Sequence, residues 1–149
     1  MVRSRQAVVK QAIVPSEVPS EDDVLLRHAC PDLDHWPVRW QYEPKDIAPG
    51  IAIVAILKPF LLNMLHSKPS RATFNRHRDN LWLVGGEFIR LRYEDPDLHR
   101  MSIDHLVQHL IEEDGGPLLW PRISESEQCA IDATCRKLYR FLNPSTSAE

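Results

Sequence analysis

Two histidines four residues apart, His105 and His109, have the spacing of a pair of zinc ligands on one helix. A working site needs a third ligand, and the sequence offers no obvious one. Both lie opposite the apolar residues Ile103, Leu106 and Leu110, so they are expected to face water beside Glu112 and Glu113. Asp32, Asp34 and His35 in "PDLDHW" can form a small acid–base cluster, although loop acids beside proline also serve to cap turns. Tyr139 in "CRKLYRFL" is a conceivable nucleophile because Arg136 and Arg140 flank it. Its neighbours Leu138, Phe141 and Leu142 place it instead at the edge of a core. No Ser/His/Asp order, CxxC or HExxH pattern is present. The expectation is a chain without catalytic residues, metal or cofactor: not an enzyme.

The arginines offer a different chemistry. In "SRATFNRHRDNLWLVGGEFIRLRYEDP", Arg71, Arg76, Arg78, Arg90 and Arg92 are opposed by Asp79 and Glu87. Guanidinium forks suit phosphate, and Ser70, Thr73 and Asn75 add uncharged donors at the start of the same helix. Lys58 and Lys68 precede the stretch. Arg136, Lys137 and Arg140 join it if the last helix packs alongside. The expected DNA contacts are Ser70, Arg71, Thr73, Asn75, Arg76, Arg78, Arg136 and Arg140. The same arginines also suit a solvated face paired with Glu21–Asp23 and Glu112–Asp114. Trp36, Trp40, Trp82 and Trp120 can stack on bases, but most are better placed covering the core, with Trp82 on an exposed flank.

The elements that must position these groups read as helices. Residues 1–19 suggest a flexible arm and linker, 20–143 one helical domain, and 144–149 a disordered tail. Ser20 caps a short helix that ends at Cys30-Pro31. The segment "PDLDHWPVRWQYEPKD" fits neither period and reads as an irregular aromatic- and proline-rich loop.

Four main helices follow. Asp46 caps the first, whose expected buried face is Ile51, Val54, Leu57, Leu61, Met64 and Leu65, with a kink near residue 55 from Pro59. Ser70 caps the second, and Phe74, His77, Leu81, Val84, Phe88 and Leu91 form its buried face. His77 is expected there as a satisfied core histidine. Ser102 caps the third, which Gly115-Gly116 ends. Ser124 and Glu127 make a capping box for the fourth, with Ile131, Cys135, Leu138, Phe141 and Leu142 inward. Gly85-Gly86 costs helix propensity. It is expected to admit the backbone of a second helix, the alternative being a helix–turn–helix break at Glu87. "VGGEF" has neither the Lys-Ser/Thr of a phosphate-binding P-loop nor a dinucleotide fingerprint. The expected fold is therefore all-α, a bundle of about four main helices.

At 149 residues the chain is long enough to bury a core without disulfides. Its net charge of −3 excludes polyanion binding by bulk charge, so any nucleic-acid role needs a local patch. Three cysteines, Cys30, Cys129 and Cys135, lack metal-hook spacing and suit a reducing compartment. Neither the first residues nor the stretch from Ile47 to Leu65, interrupted by Pro49, Lys58, Pro59 and Asn63, reads as a signal peptide or membrane span. A cytoplasmic protein is expected.

The phrase "SRATFNRHRDNLWLVGGEFIR", followed by an acidic-proline turn and two further helices, resembles the helical core-binding (SAM-like) domain of tyrosine recombinases and phage integrases. In that family a pattern of the form S-x-x-T-x-x-x-H/Y-x-x-x-L opens a helix that approaches DNA. Ser70, Thr73, His77 and Leu81 match it here, and the resemblance covers about residues 46 to 143. Family members carry a second domain with the catalytic arginines, histidines and tyrosine, which has no counterpart in this sequence. The resemblance implies a DNA-binding accessory protein of bacterial mobile-element type. The alternative is a protein-interaction or self-associating helical module without a nucleic-acid role.

Overall fold

Serine hydroxyls start four helices by accepting a backbone N–H of the first turn, which would otherwise lack a partner. In the computed structural model, which describes residues 18–144, Ser20 accepts from Asp23, Ser70 from Thr73, Ser102 from His105 and Ser124 from Glu127, at 3.0–3.1 Å. The capping box at Ser124 closes through Glu127, whose carboxylate accepts the Ser124 N–H at 2.8 Å. The described residues form seven α-helices and no strand: α1 Glu21–Ala29, α2 Trp36–Trp40, α3 Ile47–His66, α4 Arg71–Glu94, α5 Pro96–His99, α6 Ile103–Leu110 and α7 Glu125–Leu142. The all-α expectation holds; beside the four main helices expected, the described residues hold three others, α1, α2 and α5.

Three differences have local causes. The segment read as an irregular loop holds α2 between two single 3-10 turns, Leu33–His35 and Pro44–Asp46. Pro37 sits at the second position of α2, where its missing N–H costs nothing. Asp46 does not cap α3 by its side chain. Its carboxylate accepts from the Tyr42 and Glu43 N–H groups at 2.9 and 3.1 Å, fastening the turn before the helix instead. α6 stops at Leu110, five residues before Gly115, because Glu112 and Gly115 close a tight turn by a pair of backbone bonds.

α3 runs unbroken through Pro59 and is apolar on most sides. With its preceding turn, Pro44–His66 is the one stretch among the described residues long and apolar enough to cross a membrane, at a mean hydropathy of 1.8. In this fold it is the hub against which α1, α2, α4 and α6 pack. Its buried residues are Ile53, Val54, Leu57, Phe60 and Leu61, whereas Ile51, expected inside, is exposed. Apolar residues all round a helix leave the inward face undefined until the neighbours dock.

α4 is the opposite case. Phe74, His77, Leu81, Val84 and Phe88 are buried as expected, with Leu91 half-buried. α7 lies against α4 with Ile131, Cys135 and Leu138 inward. The two helices are joined by a buried polar knot. His77 Nδ1 and Thr134 Oγ1 are 2.7 Å apart, and Asn80 Nδ2 donates to Thr134 Oγ1 and the Ala130 carbonyl at 2.9 and 3.2 Å. His77 facing Thr134 and Asn80 facing Ala130 sets the two helices antiparallel. The start of α4 is therefore level with the end of α7.

The glycine pair neither breaks α4 nor receives a second helix. The indole of Trp40 packs directly against it. A Cβ on Gly85 would overlap the six-membered ring, and one on Gly86 would come within 3.2 Å of the five-membered ring. Trp40 Nε1 donates to the carbonyl of Trp82 at 3.0 Å, which fixes the ring on the helix surface. The close approach is real, but it serves an aromatic side chain from α2.

Candidate functional site

The expected DNA-contact residues separate onto three surfaces. Arg71, Asn75 and Arg78 recur at four and three residues, so they share one side of α4. That side faces α1 across a cavity of about 420 Å³, with Leu25, His28, Ala29, Pro31, Leu65, Pro69 and Phe74 completing the lining. Arg78 is held there. Its Nη1 donates to Asn75 Oδ1 at 3.0 Å, and its Nε and Nη2 donate to Asp79 Oδ1 at 3.0 and 2.9 Å.

Arg76 is exposed on α4 and lines no part of that cavity. It lies close enough to His77, together with Lys137, that both cations help burial hold the imidazole below its ordinary pKa. By the antiparallel register, Ser70, Thr73 and Lys68 sit level with the last turns of α7, where Lys137 and Arg140 lie. Among the described residues Lys68, Arg71, Arg76, Lys137 and Arg140 make no ion pair with a carboxylate. Ser70 is occupied: its hydroxyl accepts the Thr73 N–H and donates to Thr73 Oγ1 at 3.0 Å. Arg136 departs from the group, its Nη1 donating to the Asp114 carbonyl at 3.3 Å on another flank.

The remaining arginines of α4 are drawn into structure. Glu87 is buried, with 4% of its surface exposed, and would be costly there without cations. Arg90 grips it by two bonds of 2.6 and 3.0 Å, Arg122 adds a third at 2.9 Å, and Arg90 also reaches Glu94 at 2.8 Å. Hydrogen bonding to Glu87 holds the Arg90 pKa above its ordinary value. Arg92 donates to the His99 carbonyl at 3.3 Å.

Above Glu87 runs a groove of about 280 Å³ that the sequence did not reveal, lined by Arg39, Trp40, Tyr42, Trp82, Leu119 and Arg122 among others. Tyr42 stacks on Tyr93 with ring centroids 5.0 Å apart. Tyr42, Trp82, Tyr93 and Trp120 are exposed. Trp82 was expected on an open flank. The two tyrosines and Arg122 come from three separate segments, so no spacing linked them.

The other candidates disperse. Asp32 accepts from Trp36 Nε1 at 3.2 Å, Asp34 pairs with Lys58 at 3.3 Å, and His35 is exposed. His105 and His109 are exposed, and no group of three or more metal-ligating side chains occurs among the described residues. Tyr139 is half-buried against the core. The thiols of Cys30 and Cys135 are pushed up to about 12 by burial, which leaves them un-ionised near neutral pH. No family model, curated protein or solved structure matches the chain.

Proposed function

We propose that the protein is a non-enzymatic DNA-associated helical module that holds duplex DNA by its phosphates, at the end of the bundle where α4 begins and α7 ends. The observation that carries this reading is the set of cations there without a carboxylate partner among the described residues. Lys68 comes from the turn, Arg71 and Arg76 from α4, and Lys137 and Arg140 from α7. Cations left unbalanced in a chain of net charge −3 are a local feature, not a consequence of bulk composition. The Ser70–Leu81 phrase, similar to integrase core-binding domains, supports an accessory role on mobile-element DNA. Ser70 acts in it as the helix cap and Thr73 as the neighbouring hydroxyl.

Each phosphate contact releases counterions, so the logarithm of affinity for a labelled duplex should fall linearly with the logarithm of salt, with a slope of about −0.9 per contact. Fluorescence anisotropy measures it. The doubly substituted Arg76→Glu, Arg140→Glu protein should show a shallower slope and far weaker binding. Undetectable binding at low salt, or binding indifferent to salt, would overturn the reading.

The exposed aromatics of the groove favour a second reading, a protein-interaction or self-associating module. Aromatic and arginine side chains in company are the usual anchors of protein interfaces. Sedimentation that finds a stable oligomer in which Trp82 fluorescence is shielded supports this second reading.

A further inference from the structure

The cavity between α1 and α4 combines an apolar floor with a cationic rim. Leu25, Ala29, Leu65 and Phe74 supply carbon surface, and Arg71, Arg78, Asn75 and His28 supply the polar edge. Among the described residues no acidic side chain lines it. Arg78 is oriented by Asn75 and Asp79, which occupy one N–H on each terminal nitrogen and leave another on each free. Arg71, two helical turns away on the same side of α4, has no carboxylate partner among the described residues and is exposed. Leu25 is 37% exposed although it faces this floor. The volume of about 420 Å³ falls within the roughly 300–1,000 Å³ that ordinarily holds small organic ligands.

We infer that this cavity binds an amphipathic organic carboxylate, with the carboxylate between Arg71 and Arg78 and an alkyl or aryl tail lying on Leu25, Leu65 and Phe74. The two halves of such a ligand match the two halves of the lining. A carboxylate accepts from guanidinium forks in their preferred planar geometry. A purely inorganic anion would leave the apolar floor wet, and a neutral hydrocarbon would leave two guanidiniums facing carbon. The site is separable from the DNA reading. Arg76, Lys137 and Arg140 take no part in it, and Arg71 is the only unpaired cation common to both.

The test is a titration of the isotopically labelled full chain with octanoate, 1-octanol and acetate, followed by NMR. Octanoate should bind saturably, with amide shifts concentrated at Leu25, Ala29, Leu65, Phe74 and Asn75. It should bind at least about tenfold more tightly than 1-octanol, which lacks the charge. Affinity should rise up to about fourfold per methylene from acetate to octanoate. Arg71→Met, an exposed change that keeps the stem, should weaken octanoate by roughly tenfold. Arg76→Glu with Arg140→Glu should leave octanoate binding intact while DNA binding falls, so failure of one reading is separable from failure of the other. Equal binding of octanol and octanoate, equal binding of acetate and octanoate, or shifts centred away from these residues would each overturn the inference. The mapping on the unsubstituted protein decides the matter even if a variant misfolds.

Discussion

His77 shows how a single residue couples two helices and a charge. It is buried against Thr134 and held below its ordinary pKa by burial first, then by Lys137 and Arg76. A base whose folded pKa is depressed binds fewer protons folded than unfolded. Stability therefore stays level above the unfolded value of about 6.5 and falls as pH drops below it. Urea unfolding at pH 7.5 and pH 5 should show that loss. His77→Asn, which keeps a hydrogen-bonding atom near Nδ1 but cannot titrate, should make the loss smaller. Thr134→Val removes the partner of both His77 and Asn80 at nearly constant volume. It should cost about 1–3 kcal/mol, because two buried polar groups lose a bond. A cost below experimental error would mean that the knot does not hold α4 to α7.

Among the elements, α4 holds the middle turn that was hardest to read. Gly85 and Gly86 are neighbours in one helix, yet they differ in what they tolerate. An added methyl at Gly86 meets Trp40 at 3.2 Å, whereas at Gly85 it overlaps the ring. Gly85→Ala gains up to about 1 kcal/mol of helix propensity but forces Trp40 off the helix. A net loss of about 1–3 kcal/mol and a changed tryptophan emission should follow. Gly86→Ala should be near neutral. Equal effects at both positions would show that Trp40 does not rest there. On the same helix, Glu87→Gln keeps the shape but weakens the grip of Arg90 and Arg122. Both arginines are partly exposed, so the cost should be nearer 1–2 kcal/mol than that of a sealed ion pair.

Across the whole molecule, the charges that matter are those left over once structure has drawn off the rest. Arg78, Arg90 and Arg122 are ion-paired, while Arg71, Arg76, Lys137 and Arg140 have no carboxylate partner among the described residues. Surface cations without partners contribute little to folding. Arg76→Glu with Arg140→Glu should therefore shift stability by no more than about 0.5 kcal/mol per site while sharply changing affinity for duplex DNA. A large fall in melting temperature in that variant would indicate a structural role for these residues.

The helical class, the four serine caps and the inward face of α4 were determined by the amino-acid order alone, because each depends on neighbours within a turn or two. α3 resisted the same reading: it is apolar on most sides, so its inward face depends on which helices dock. The paired glycines signalled a close approach, but they could not say that an indole 45 residues earlier in the chain, Trp40 beside Gly85, would make it. The arginines form a single cluster only along the chain. Tertiary packing separated them, pairing Arg90 with Glu87, setting Arg71 and Arg78 at the α1 cavity, joining Arg92 to the His99 carbonyl and leaving Arg76 exposed. The physical reason is that guanidiniums are long and their partners are distant in sequence, so where each one ends is settled only when the carboxylates and grooves of other elements arrive.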